Sequence, residues 1–381
     1  MNSFDIAIIG GGPAGAMAAY IAASRNMKVL IIEKEMLPRY KTCGGGLVFR
    51  GRNRLPFDIS SLIQREFHEL EVYFENSTHY FSTKRTEPII SMVMRDGFDA
   101  LLVDQAREKG AQIMDKTQLN GLVPVENGLI LQTSAGNIQC RYLIAADGAL
   151  SPTAKMAGWG ESRKLIPALE YEVTVGKADF ERLSKKVRFD VDAVPHGYAW
   201  CFPKENHLSI GVGCLKKQKI NLKALYQDYL EKLGIKEILS ASAHGFQIPI
   251  SPRKEGFSKG PVFLAGDAAG FADPLTAEGI SNALYSGELV ASAIAENFEH
   301  VQIANLAYQK KLEEKLLPEL KTSAIMGWVF YTQPSLRNLL IQKYGQKGCE
   351  LLTDIFMGKK PFPDKIKNRL KEIIPMLKFT G

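Results

Sequence analysis

Phe4-Asp5-Ile6-Ala7-Ile8-Ile9-Gly10-Gly11-Gly12-Pro13-Ala14-Gly15 is the stretch from which the rest of the chain can be read. Residues 4–9 form a short apolar run with β-branched members, suited to a buried parallel strand. Residues 10–15 fit GxGxxG, and the alanine-rich stretch from Ala14 to Ser24 is helix-forming. Lys28 to Glu33 is a second apolar strand, ending in an acid 23 residues after Gly10. Strand, turn, helix, strand and acid therefore fall in the order of a βαβ dinucleotide-binding unit. The glycines allow a tight turn and close backbone approach, and the helix N-terminus faces a pyrophosphate. Glu33 is expected to accept hydrogen bonds from a ribose. A glycine-rich turn without a ligand is the competing reading. It leaves three consecutive glycines unexplained, because each costs backbone entropy on folding.

The chain has 381 residues, which suggests two or three structural units at roughly 150 residues each. With 45% hydrophobic and 23% charged residues, wholesale disorder is excluded. The net charge of +7 is scattered. Nucleic-acid binding would need a concentrated basic stripe with interleaved aromatics, so no nucleic-acid partner is expected. A mild basic excess is compatible with contact to anionic lipid. Cys43, Cys140, Cys201, Cys214 and Cys349 are far apart, with no CxxC pair and no Cys/His cluster at metal-ligand spacing. That excludes a disulfide framework and a zinc site and fits reduced thiols in a cytoplasmic enzyme. The uncharged run from Ile6 to Ser24 contains four glycines and a proline and follows the acidic Asp5, so it does not read as an export signal.

The fingerprint alone does not separate NAD from FAD. Tyr142 to Asp147-Gly148 is an apolar strand ending in Asp-Gly, and Pro261 to Gly266-Asp267 is another ending in Gly-Asp, followed by a helix from about Glu278. Both put a carboxylate at the carboxyl end of a strand, where ligands sit in open α/β sheets. With the chain start, they resemble the three fingerprints of single-FAD-domain flavoproteins related to p-hydroxybenzoate hydroxylase. That resemblance implies FAD, with Gly10, Gly12, Pro13, Ala14, Gly15, Glu33, Lys34, Asp147, Gly266 and Asp267 at the cofactor. Arg95, opening a helix that runs to about Lys109, is similar to the arginine that steers FAD in that group.

Two further segments narrow the family. Pro38-Arg39-Tyr40-Lys41-Thr42-Cys43-Gly44-Gly45-Gly46 is a glycine-rich loop with one cysteine two residues from a lysine. In Gly197-Tyr198-Ala199-Trp200-Cys201-Phe202-Pro203, the three aromatics alternate and share one face of a strand. Such a stripe taken alone reads as core. Gly211-Val212-Gly213 follows seven residues later. Together these resemble the geranylgeranyl reductase family, which carries PxxKxCGG and YxWxFP followed by GxG. The resemblance runs from the start to about residue 300. It implies reduction of isoprenoid double bonds by reduced FAD. Tyr198, Trp200, Phe202 and Pro203 would line the lipid pocket. Lys41, Cys43, Gly44 and Gly45 would lie by the flavin, with Pro274, Gly279 and Ile280 closing the ring site. Cys43 is a candidate proton donor, because a free thiol with a pKa of about 8.5 is mostly protonated near neutrality. Lys41 nearby would instead favour a thiolate. With no second GxGxxG in βαβ context, the electron source is open between NADPH and a carrier protein such as ferredoxin. An FAD monooxygenase or halogenase on the same scaffold, and a non-enzymatic flavin- or lipid-binding protein, are the competing classes.

The expected fold class is α/β: a Rossmann-type FAD-binding domain (1–66, 92–165, 256–300) with an inserted, mostly antiparallel sheet (67–91, 166–255). A C-terminal helical region covers 301–381. Alternating stretches at Glu71–Glu75, Leu169–Val175, Val187–Val191 and His207–Val212 supply strands of the insert. Leu222 to Leu233 reads as helix. Helices are expected beyond Gly287, broken at Pro318, Pro334 and Pro361. The uncharged run Thr322–Leu336 is too short to span a bilayer. It suits a buried helix, a roof over a lipid channel, or an interfacial segment giving peripheral membrane contact. The basic tail Lys359–Lys371 suits a solvated face or contact with anionic membrane.

Overall fold

A computed structural model describes residues 2–74, 79–215 and 220–362. Its first sheet has eight strands, with a parallel centre in the order Val262–Leu264, Gly136–Ala145, Ser3–Ile9, Val29–Ile32 and Gln112–Met114. Val29, Leu30, Ile31 and Ile32 are all buried, as a strand covered on both faces requires. Helix Pro13–Ala23 packs against Ile280–Glu296 and Arg95–Glu108. Small residues make the first contact close: a Cβ on Gly287 would stand 2.2 Å from the Ala14 carbonyl oxygen.

The second sheet has seven strands, in the order Ile238–Pro249, Leu165–Val175, Leu208–Cys214, Gly197–Pro203, Val187–Asp190, Glu69–Phe74 and His79–Lys84. All neighbours are antiparallel except Val187–Asp190 with Glu69–Phe74. Gly46–Val48, Ile90–Val93 and Ile63–Phe67 form a small third sheet, antiparallel throughout. The expected fold class is the one observed. Strand Ile238–Pro249 had no sequence expectation: most of it is exposed, and its small polar residues carry no apolar alternation.

Helices Val301–Lys315, Leu317–Thr332 and Pro334–Phe356 complete the described chain. Pro318 and Pro334 sit in the first turns of the second and third, where a missing N–H costs nothing. The uncharged run therefore spans the end of one helix and the start of the next. It buries Ser323, Gly327, Val329 and Tyr331, while Trp328 stays half exposed. No helix among the described residues is long and apolar enough to cross a membrane. Glu75 and residues 363–371 of the basic tail lie outside the described residues.

Candidate FAD and substrate site

The three fingerprint glycines do different work. Gly10 has φ +104°, and a Cβ there would lie 2.5 Å from the Ala146 carbonyl oxygen. A Cβ on Gly15 would lie 2.0 Å from the Gly10 carbonyl oxygen, so both positions are closed by backbone. Gly12 is open: its φ is −81°, and the nearest atoms to its Cβ position are Arg95 Nη2 at 3.8 Å, with Arg39 Nη2 and Asp99 Oδ2 at 3.9 Å. Pro13 begins the helix behind it, and Ala14 meets Gly266. The Glu33 carboxylate accepts from the Gly11 N–H at 2.8 Å and the Glu35 N–H at 3.2 Å, fixing the turn to the second strand. Lys34 is exposed beside it.

Arg95 donates twice to the fully buried Asp99, at 2.8 Å each, and Arg39 donates to the same carboxylate at 2.9 Å. Two guanidinium groups thus flank an open helix N-terminus with donors still to spare. That fits a pyrophosphate, which prefers bidentate, charge-assisted donors. Asp147 reaches the turn through its backbone, whose Cα would be 3.1 Å from a Gly10 Cβ. Its carboxylate is taken up by Ser151 Oγ at 2.6 Å and the Thr153 N–H at 2.9 Å, so it caps the short helix Pro152–Met156.

Gly266 has φ +57° and turns the chain just before Asp267, whose carboxyl lies near Lys41, Arg95 and Arg163. The Asp267 carboxyl is pushed up by burial and drawn back by Lys41, Arg95 and Arg163, yet part of its surface stays accessible. A carboxylate so far from bulk water, but not covered, suits the hydroxyls of a ribityl chain. Gly279 is open toward Asp267, a Cβ there lying 3.6 Å from Oδ1, and Ile280 begins the long helix. Between them, Asp273 Oδ1 accepts from the Leu275 and Thr276 N–H groups at 3.0 and 2.8 Å, shaping the loop that carries Pro274. Arg50 ties this loop to the C-terminal helices through Glu278 at 3.4 Å and Glu319 at 3.0 Å.

The cysteine-glycine loop and the aromatic strand meet. Cys43 is half-buried, whereas the other four cysteines are buried. Its N–H donates to Glu170 Oε1 at 2.7 Å, and Tyr40 Oη donates to the same oxygen at 3.1 Å. Lys41 lies 3.8 Å from the Phe246 ring centroid, and burial lowers its pKa. Gly45 has φ +66° and lies on the Val93 carbonyl, which a Cβ would approach to 2.1 Å. A Cβ on Gly44 would stand 3.0 Å from Phe202 Cδ2 and 3.1 Å from Trp200 Nε1. Tyr198, Trp200 and Phe202 share one apolar cluster, and Ala199 and Cys201 face another, as the alternation predicts. Gly211 stands opposite Trp200 in the ladder and leaves room for its indole. At the far end, Tyr198 donates to the Thr276 carbonyl at 2.8 Å, and Tyr331 donates to the Leu275 carbonyl at 2.6 Å. The aromatic wall therefore runs from the loop at Gly44 to the loop at Thr276, and Pro203 ends its strand. The indole Nε1 of Trp200 is buried with no hydrogen-bond partner among the described residues.

The FAD binding domain model matches residues 59–299, and a second FAD binding domain model matches residues 5–54. A digeranylgeranylglycerophospholipid reductase of Methanoculleus marisnigri is 30% identical over 316 residues, 77% of this chain and 77% of that one. The chain belongs to the geranylgeranyl reductase family of FAD-dependent oxidoreductases. A chloroplastic geranylgeranyl diphosphate reductase of Nicotiana tabacum is 28% identical over 95% of this chain and 82% of its own length. The fold is shared with a geranylgeranyl bacteriochlorophyll reductase-like protein of Thermoplasma acidophilum, at a TM-score of 0.77 and 24% identity, covering 98% of this chain and 96% of that one.

Glu170, Lys204, Arg39 and Asp99 had no role in the sequence reading of this family member, and Tyr331 entered it only within the uncharged run Thr322–Leu336. Lys204 directly follows Pro203, and Glu170 and Glu172 recur at a spacing of two on a strand with one buried face. That spacing is the one signal that marked them. Arg39 and Asp99 are brought together only by the fold.

Proposed function

We propose that this enzyme saturates carbon–carbon double bonds of an isoprenoid lipid. The single observation that carries the reading is the contact of the Cys43–Gly44 loop with Trp200 and Phe202. It joins the cysteine-glycine loop, which the resemblance puts at the flavin, to a wall of Tyr198, Trp200, Phe202 and Tyr331. The names of the relatives, reductases of geranylgeranyl groups on a diphosphate or on a glycerophospholipid, support the same substrate class. Bound FAD would supply the reducing equivalents, taken from NADPH or from a carrier protein such as ferredoxin. Gly10, Gly12, Gly15, Arg95 and Asp267 would hold it, and Cys43 would donate the proton that completes saturation. The apolar wall would exclude water and align the chain. Exposed Trp328 and Leu339 on the C-terminal helices suit contact with the membrane surface from which such a lipid is drawn.

The test is anaerobic: dithionite-reduced, FAD-loaded enzyme is mixed with geranylgeranyl lipids, and the flavin absorbance is followed. Return of the oxidised spectrum on lipid addition is expected. No reoxidation by any polyprenyl lipid refutes the reading, and oxygen uptake coupled to a hydroxylated product would make the enzyme a monooxygenase.

A further inference from the structure

Two buried groups, one acidic and one basic, grip the peptide units on either side of the Cys43–Gly44 peptide. Glu170, 2% exposed on strand Leu165–Val175, takes the Cys43 N–H at 2.7 Å. Lys204, 0% exposed just past the aromatic strand, gives its ammonium to the Gly44 carbonyl at 2.6 Å and the Val93 carbonyl at 3.2 Å. Burying a lysine is expensive unless the charge is met. Here it is met by carbonyl oxygens, with no ion pair to Lys204 among the described residues. A methionine of similar length would fill the space and avoid that cost, but it could not hold a carbonyl.

We propose that Glu170 and Lys204 are positioning residues that clamp the two peptide units flanking Cys43–Gly44, one on each side, and so aim the Cys43 thiol into the ring site. This rests on the loop lying against the flavin, as argued above. The groups that face Glu170 come from every neighbouring element: Tyr40 and Cys43 from the loop, Glu172 from its own strand, and Lys204 from beside the aromatic strand. His244 stands opposite Glu170 on the outer strand, with its ring 4.1 Å from that of Tyr40. Glu172 in turn lies 3.0 Å from His207. Burial, then the like charge of Glu172, pushes the Glu170 carboxyl up to about 7, against the pull of the Cys43 N–H, Tyr40 and Lys204. Leaving the clamp returns that carboxyl to water and to an ordinary pKa, so the clamp is favoured while Glu170 is protonated and loosens as pH rises through about 7.

The test uses the full chain loaded with FAD and two readouts that need no substrate. These are hydrogen exchange of the peptide spanning residues 40–46, divided by the intrinsic rate, and alkylation of Cys43 by iodoacetamide. In the parent, protection of that peptide should fall as pH passes about 7. Glu170→Gln keeps an acceptor of the same shape but should lose the pH step, and Glu170→Ala should exchange about tenfold faster or more below it. Lys204→Met should speed both exchange and alkylation by about tenfold. If Lys204→Met does not fold, the near-isosteric Gln variant still decides. A pH step that persists in Glu170→Gln, or exchange unchanged in Glu170→Ala, overturns the clamp. Because neither readout involves an isoprenoid, failure of lipid reduction would sink the substrate reading alone.

Discussion

Trp200 is caught between two glycines, and that geometry can be tested from the side away from the cofactor. Gly211 pairs with it across the ladder, and a methyl there would stand 2.1 Å from Trp200 Cζ2 and 2.5 Å from Cε2 and Cη2. On the other side lies Gly44, whose Cβ position is already 3.1 Å from the indole nitrogen. The ring is 6% exposed and cannot swing into solvent, so Gly211→Ala must drive it into the cysteine-glycine loop. Overpacking of this kind costs about 1–3 kcal/mol, and so deep an overlap argues for the upper end. Thermal unfolding of the FAD-loaded protein should fall by roughly 2–4 °C per kcal/mol, with weaker flavin retention alongside. In the Trp200→Phe background the smaller ring accommodates the methyl, so the two changes should couple by more than about 1 kcal/mol. Costs that simply add would refute the claim that Gly211 exists to seat Trp200 against the loop.

Four further outcomes follow from the same geometry. Gly12→Ala has an ordinary φ and no atom within 3.8 Å, so the FAD-free protein should keep its stability while FAD affinity drops; equal FAD binding by titration would contradict the pyrophosphate assignment. Gly15→Ala, with its methyl 2.0 Å from a carbonyl oxygen, should instead unfold the domain, visible in circular dichroism. The Glu170 carboxyl moves from 4.5 to about 7 on folding, so its favourable contribution is complete below 4.5 and lost as pH rises through 7. Relative to the parent, Glu170→Gln should therefore gain roughly 3 kcal/mol between those limits, and a flat difference would refute the shift. Cys43→Ala should keep bound FAD yet slow alkene reduction, and an unchanged rate would remove the thiol from proton delivery.

The nucleotide half of the site was legible because its physics is local. A positive φ at Gly10 and a close approach at Gly15 can be met only by glycine, so the spacing survives in the chain as a readable pattern. The aromatic strand was legible for a related reason: a ladder pair of Trp200 with Gly211 leaves both members in sequence at a fixed register. The charged clamp was not, because Glu170 and Lys204 meet the loop from strands more than a hundred residues away, and a glutamate in an alternating strand usually marks a solvated face. Asp99 was hidden likewise. On helix Arg95–Glu108 it reads as a surface acid, and only the approach of Arg39 and Arg95 shows why it is buried. On the outer strand Ile238–Pro249 the first six residues are exposed, and only His244, Phe246 and Ile248 alternate toward a half-buried face, too short a run to announce the strand.

The most direct test of the account is the mass of the lipid recovered after anaerobic turnover. Reduced, FAD-loaded enzyme incubated with geranylgeranyl lipids should return products heavier by two hydrogens for each double bond saturated. Lipids recovered at their starting mass, from enzyme that holds its flavin and can be reduced, would contradict it.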